Sequence, residues 1–422
     1  MARIVLATSG SLGDIHPMIA LGIELKSRGH NIVFATMNLY REKIEAVGFE
    51  FRPLRPHLEL EDRELARQVM DIRKGPEVMI RNIVFPHLHE IYNDLMAAIE
   101  GADIFLSGEV IYVANSAAQK SGIKWISTSL SPISMFSNYD PGVYPAAEWL
   151  EYLRFLPPAF HEVLFSFMRW TISDWFEPYK AFRRDLGLSE DHDPVFRGKA
   201  SDLLHLVMFS RVMEAPQPDW FPASVQTGFC FYDGQNDTGK MPDGLEEFFA
   251  AADIDGPPII FTLGSAAVMD AGDFFEESIK AAKALGRRSV SLYGLYNEPP
   301  AGLDDNNAGF QYAPYSRVFS KAACVVHQGG IGTTSQVLRA GVPMLVMPYA
   351  HDQPDNAARC RRAGVARIIS RSSYTAARAA EEIRPLLAEA SYREKALEAK
   401  GVVNSESGTR AACDAIESAL KN

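Results

Sequence analysis

Short β-branched, apolar runs alternate with amphipathic helical stretches along most of this 422-residue chain, and that alternation leaves few folds open. Strands separated by helices are joined by crossovers, so they pair in parallel and carry helices on both faces. The first series runs 3–8, a helix from about 15 to 28 ended by Gly29, then 31–36, 49–52, 103–107, 124–128 and 204–209. A second begins at 258–263 (PIIFTL) and continues at 289–293, 324–327, 344–347 and 365–369. The pattern predicts an α/β protein of two doubly wound domains. Residues 1–231 form the first and 244–400 the second, joined by a linker at 232–243 dense in Gly, Asp, Asn and Pro. A final helix in 401–422 is expected to pack back on the first domain. Residues 131–182 interrupt that domain with helical patterns rich in Phe, Tyr and Trp, read mainly as core at helical spacing and also as a possible wall of an apolar pocket.

Charge and cysteine usage exclude whole classes of function. The chain has 42 Lys and Arg against 53 Asp and Glu, a net charge of −11, which removes the long-range attraction that nucleic acid requires. Cys230, Cys324, Cys360 and Cys413 form no CxxC pair or cluster, so they read as buried thiols in a reducing compartment. The opening MARIVLATSG holds too few apolar residues for a secretory signal, and no apolar run approaches the ~18 residues of a membrane span. A cytoplasmic protein is expected, touching a membrane at most peripherally.

Glycines mark where a ligand approaches the backbone. Residues 8–17 read TSGSLGDIHP. This loop lacks GxGxxG, and the second strand ends Ala35-Thr36-Met37-Asn38 without the acid that holds a dinucleotide ribose, which argues against a nicotinamide oxidoreductase. Asp14 and His16 stand at the head of the first helix, where an Asp also serves as N-cap. The strongest signal is His327-Gln328-Gly329-Gly330-Ile331-Gly332-Thr333-Thr334, which follows a strand and opens a helix. Its glycines, hydroxyls and helix N-terminus form a concave donor set suited to a diphosphate, with His327 adding an N–H. The next strand leads to Asp352 and Gln353, a carboxylate and an amide suited to sugar hydroxyls. Other matches are decoys. Gly234 to Lys240 imitates a P-loop, but Met241 stands where a magnesium-binding Ser or Thr belongs. Asp191-His192-Asp193 and Asp253-Ile254-Asp255 read as turn and cap residues, and His87 and His89 point apart on a helix. No metal site is expected.

These residues resemble the UDP-glycosyltransferase superfamily of inverting, GT-B-fold enzymes, nearest the bacterial branch that includes antibiotic, sterol and rhamnolipid glycosyltransferases. The resemblance rests on GSLGDIHP (10–17), TLGS (262–265), Tyr312-Ala313-Pro314 and HQGGIGTTSQVLRAGVPMLVMPYAHDQPDNA (327–357). It implies two Rossmann-like domains facing a cleft, with the acceptor on the first and the nucleotide on the second. It implies that Tyr312 stacks on the base and Ala313 offers backbone to a pyrimidine. His327, Gly329, Gly332 and Thr333 would hold the diphosphate, Ser265 and Ser11 would close over it, and Asp352 and Gln353 would bind the hexose. Asp14 takes the place of the catalytic base, with His16 a second candidate. The family's orienting Asp falls at Gly108, beside Glu109. Ser335 stands where many relatives carry a ribose-binding Glu, which leaves the ribose to Gln336 or to a group elsewhere. The expected reaction is metal-independent transfer of a hexose from a UDP- or dTDP-sugar, a co-substrate and not a cofactor, to the hydroxyl of an apolar acceptor. A non-catalytic sugar-nucleotide-binding protein and a sugar-nucleotide epimerase of the same fold are the alternatives.

Overall fold

The computed structural model describes residues 1–57, 62–196, 198–232, 234 and 241–421. The first sheet holds β1 (Arg3–Ala7), β2 (Asn31–Thr36), β3 (Glu50–Pro53), β4 (Ile104–Ser107), β5 (Lys124–Ser129), β6 (His205–Val207) and β7 (Ser224–Gln226), ordered β3-β2-β1-β4-β5-β6-β7. The second holds β8 (Ile259–Thr262), β9 (Ser289–Leu292), β10 (Asn307–Phe310), β11 (Cys324–His327), β12 (Met344–Val346) and β13 (Ala366–Ile368), ordered β10-β9-β8-β11-β12-β13. Every pairing between these strands is parallel. Ile4, Val5, Leu6 and Ala7 of β1 are fully buried, because helices cover both faces of the sheet. Strand order reverses between β1 and β4 and again between β8 and β11. In sheets of this kind the crossover helices diverge at such a switch point, where ligands bind beyond the carboxyl ends of the strands. The hydrophobic pattern does not announce β7 (SVQ) or β10 (NAGF): both are edge strands, half-exposed, and need no apolar run.

Four helices matter besides α1 (Leu12–Ser27), which follows β1. Between β5 and β6 lies α2 (Pro158–Thr171), after β11 comes α3 (Ile331–Ala340), after β12 comes α4 (Gln353–Arg362), and α5 (Gly408–Lys421) is last. Ala412, Cys413 and Ile416 of α5 share a core with Ile4 and Leu6 of β1. Arg28, the C-cap of α1, pairs with Asp414 (2.6 Å) and Glu417 (2.9 Å) of α5. Most of the expected linker, 233 and 235–240, lies outside the described residues, and so does most of the P-loop imitation. All four cysteines are buried and free. Among the described residues no helix is long and apolar enough to cross a membrane.

The aromatic residues between β5 and β6 divide into two groups. Phe136 and Phe165 pack on Phe196 with ring centroids 4.9 and 5.4 Å away. The expectation of core fails for Tyr139, Trp149, Tyr152, Phe155 and Trp170, which are exposed. Spacing identifies an apolar face but cannot say what covers it.

This segment is tied to the second domain through α4. Arg359, side chain 1% exposed, donates to Asp140 Oδ2 (2.6 Å) and Asp355 Oδ2 (2.8 Å) and lies 3.4 Å from Glu214 Oε2. Asp355 Oδ1 accepts the Val143 N–H (3.0 Å), and Arg361 pairs with Glu151.

Candidate functional site

The loop after β1 folds into a capping box. Ser11 is the N-cap of α1, and its Oγ accepts the Gly13 N–H (3.2 Å). Asp14, at the third helical position, accepts the Ser11 N–H (2.8 Å) and hydroxyl (3.2 Å) through Oδ2. The helix therefore begins three residues before the expected position 15, and the cap is Ser11, not Asp14. That hydroxyl thus links Gly13 and Asp14 within the box. Gly10 makes the box possible: its φ is +121°, and a Cβ there would lie 2.5 Å from Asp14 Oδ2.

Burial, with a smaller push from the Glu109 charge, raises the Asp14 carboxyl to about 6 against the opposing Ser11 N–H. His16 sits two residues on. Burial, assisted by Lys43, lowers it to about 4, so its ring is neutral at pH 7. Its Nε2 is buried without a hydrogen-bond partner, and the ring meets Tyr232 edge-on at 5.1 Å. Glu109 is fixed just past β4, where Oε1 accepts the Leu130 N–H (2.5 Å) and the Ser134 hydroxyl (3.1 Å). It repels Asp14; it does not orient it.

In the second domain β11 ends at His327, which is completely buried. Its Nδ1 accepts the Gly329 N–H (3.0 Å), and its Nε2 faces Met344 Sδ at 3.3 Å. Burial lowers its pKa to about 3. Both ring nitrogens are engaged inward, so His327 shapes the turn and does not supply the extra N–H expected of it. The same contact occupies the Gly329 N–H. Gly329 has φ +89°, and a Cβ there would lie 2.7 Å from Val346 Cγ1 and 3.2 Å from the Gln353 carbonyl. Gly329→Ala is expected to destabilise the protein by about 1–3 kcal/mol, read from urea unfolding, because it combines a disfavoured φ with overpacking.

The remaining predicted residues surround the head of α3. Thr333 is buried; its hydroxyl bonds Tyr315, whose OH also meets Thr262 Oγ1 at 2.9 Å. A Cβ on Gly264 would lie 3.3 Å from Thr333 Oγ1, so the TLGS loop overlies the start of α3, and Ser265 is exposed there. Tyr312 is exposed just past β10, next to the buried Ala313. Gln353 Oε1 accepts the Tyr349 and Ala350 N–H groups (2.9 and 3.3 Å), which holds the loop after β12. Asp352 Oδ2 accepts Asn356 Nδ2 (2.6 Å) and the Ile331 N–H (3.3 Å) at the head of α3. Burial raises its carboxyl to about 7, with Asp14 and Glu109 adding to the rise.

Sequence reasoning missed Asn356, which also donates to the Gly329 carbonyl (2.9 Å). Its place four residues after Asp352 on one helix was the available signal. Ser335 donates to the Gly332 carbonyl (2.8 Å). Gln328 Oε1, Thr334 Oγ1 and Gln336 Oε1 are buried acceptors without partners.

The heads of α1 and α3 meet. A Cβ on Gly332 would lie 3.5 Å from Gly13 Cα, and Ile331 packs into the core of the first domain. Two helix N-termini, each with a partial positive charge, converge where Asp14, Glu109 and Asp352 repel one another. Such a place can hold an anion on main-chain N–H groups and set a carboxylate beside it. Of the decoys, His87 pairs with Glu90 (2.7 Å), His89 with Asp185 (3.2 Å), and Asp193 accepts the Phe196 N–H (2.5 Å); the side chains of Asp253 and Asp255 lie outside the described residues. Among the described residues no group of three or more His, Cys, Asp and Glu is placed to hold a metal.

Residues 4–118 match the model of the Glycosyltransferase family 28 N-terminal domain, and residues 300–409 that of the Erythromycin biosynthesis protein CIII-like, C-terminal domain. The O-mycaminosyltylonolide 6-deoxyallosyltransferase of Streptomyces fradiae is 29% identical over 98% of this chain and 97% of its own. A sterol 3-beta-glucosyltransferase of Debaryomyces hansenii is 26% identical over 83% of this chain, which spans only 23% of that relative's length. The crystal structure of the glycotransferase of kitacinnamycin superposes with a TM-score of 0.72 at 23% identity, covering 99% of each chain. With its two Rossmann-like sheets and both family domains, the chain is a glycosyltransferase of the GT-B fold.

Proposed function

We propose that the protein transfers a hexose from a UDP- or dTDP-sugar to the hydroxyl of a large apolar small molecule, with inversion and without a metal. The juxtaposition of the α1 and α3 heads carries this reading: it sets Asp14 of one domain against the anion-binding turn of the other. The Asp14 carboxylate takes the proton of the acceptor hydroxyl as its oxygen attacks C1 from the face opposite the diphosphate. The C1–O bond to the diphosphate breaks, and main-chain N–H groups at the head of α3 meet the charge that leaves. Asp352 holds sugar hydroxyls, and the unpartnered Gln336 Oε1 accepts from the ribose. The two relatives are named as an O-mycaminosyltylonolide 6-deoxyallosyltransferase and a sterol 3-beta-glucosyltransferase, and an apolar acceptor fits the aromatic segment between β5 and β6.

Thermal-shift titration with UDP, dTDP and their sugars tests the donor, since a ligand at 100 times its Kd stabilises by about 2.7 kcal/mol. Tyr312→Ala is expected to raise the donor KM roughly 5- to 150-fold with a smaller change in kcat, the ~1–3 kcal/mol that base stacking contributes. Turnover should survive exhaustive chelation. Isomerised sugar nucleotide from donor alone would replace this reading with an epimerase, and binding without transfer to any acceptor would replace it with a binding protein.

A further inference from the structure

The loop and helix that carry Asp352 are gripped from two sides by the first domain. On one side a strap, the helix Arg63–Val69 and the turn after it, packs on the 3-10 turn Ala267–Asp270 of the second domain. Met70 seats it: this side chain is buried in a core whose other buried members all belong to the second domain, Val268, Met269 and Tyr349 among them. Arg63 donates to the Tyr296 carbonyl (2.5 Å) at the other end of the helix. The strap then turns so tightly that a Cβ on Gly75 would lie 2.2 Å from the Val69 carbonyl. That turn lies against His351: the same Cβ would stand 3.6 Å from its Cε1, and the Val69 carbonyl accepts from its ring. His351 immediately precedes Asp352, and its φ is +57°. A non-glycine residue keeps this left-handed conformation only where its surroundings hold it. On the other side, Asp355 Oδ1 accepts the Val143 N–H (3.0 Å) and Arg359 donates to Asp140 Oδ2 (2.6 Å). Asp352 stands between the two grips as the N-cap of α4. The Asn356 N–H donates to the Asp352 carbonyl (2.9 Å), so a shift at 355 is carried to 352.

We propose that His351 and Asp355 are positioning residues through which the first domain sets Asp352, so that the hexose half of the donor is held only while the two domains are docked. This rests on the reading of Asp352 as the carboxylate that binds the hexose. Asn356 and the Ile331 N–H fix Asp352 Oδ2 on the head of α3, but the backbone that carries the carboxylate enters α4 through the left-handed residue the strap holds. The nucleotide half does not share this dependence. Thr333, at the head of α3, bonds Tyr315, and Tyr315 meets Thr262 at 2.9 Å, all within the second domain. A nucleotide can therefore enter an open cleft, while its sugar is fixed only when Asp14 stands opposite. That coupling keeps a fixed hexose out of a cleft still open to water.

Isothermal titration calorimetry of the full chain with UDP, dTDP, UDP-glucose and dTDP-glucose tests the proposal. Two variants loosen the grip without touching the nucleotide. Met70→Ala removes the anchor of the strap, and His351→Asn keeps a residue type that tolerates the left-handed backbone while withdrawing the ring from Val69 and Gly75. Each is expected to raise the Kd of the glucose-bearing nucleotide about 10-fold or more, the loss of one hydrogen bond to a charged group, and to leave that of the bare nucleotide within about 2-fold. Circular dichroism should be unchanged, and a merely structural role would not separate the two constants in a protein that remains folded. Unchanged affinity for both nucleotide sugars in both variants, or equal weakening of sugar-bearing and bare nucleotide, would overturn the proposal. Unaltered protein that binds neither UDP nor dTDP would instead overturn the donor reading on which it rests.

Discussion

Asp14→Asn is expected to lower kcat by about 10²- to 10⁴-fold, the range that loss of a positioned general base produces, while the fold stays intact. The fold survives because the amide oxygen can still accept the Ser11 N–H that closes the capping box; what disappears is the basicity. A carboxyl raised to about 6 carries a proton below that pH and releases it above. The activity of the unaltered protein should therefore rise as pH increases through about 6 and level off. His16 is the rival base and predicts a different curve. Held near 4 by burial, its ring is already neutral at pH 5, so a profile flat from 5 to 8 would transfer the role to it. Asp14→Asn with full turnover would remove Asp14 from the chemistry.

Arg359→Met is expected to destabilise the protein by about 3–5 kcal/mol, measured as a shift of the urea midpoint at constant slope. The substitution keeps the aliphatic volume but leaves Asp140, Asp355 and Glu214 without the guanidinium that lies among them. Glu214 already responds to this setting. Burial, opposed by Arg359, raises its carboxyl from 4.5 to about 8, so the folded state keeps a proton that the unfolded chain releases above 4.5. Stability from this group is complete below about 4.5 and is lost as pH rises toward 8. Glu214→Gln should flatten that slope, and an unchanged pH dependence would show that the group ionises freely in the folded state.

The segment bound by Arg359 also shows where sequence reading stops. The β-branched runs of β1, β4, β8 and β11 were legible because a strand covered on both faces needs a continuous apolar stretch, and that need is local. The glycines at 10, 329 and 332 were legible because a backbone that turns tightly or approaches another chain segment excludes side chains. The inward turn of His327 toward Met344, and of Gln353 onto its own loop, could not be read. A ring or amide takes the first partner that geometry offers, and residue type alone does not reveal which partner that is.

By itself, the order of residues determined two parallel sheets, the two helix heads and the chemical kinds of side chain gathered at each. Only the tertiary structure decided that Gly13 and Gly332 touch, that Asp14, Glu109 and Asp352 repel one another, and that half of the aromatic segment faces outward. Hydrophobic period and turn chemistry act over a few residues and are written into the chain. Desolvation and charge–charge repulsion depend on distances between groups hundreds of residues apart, which exist only after the domains have closed on each other.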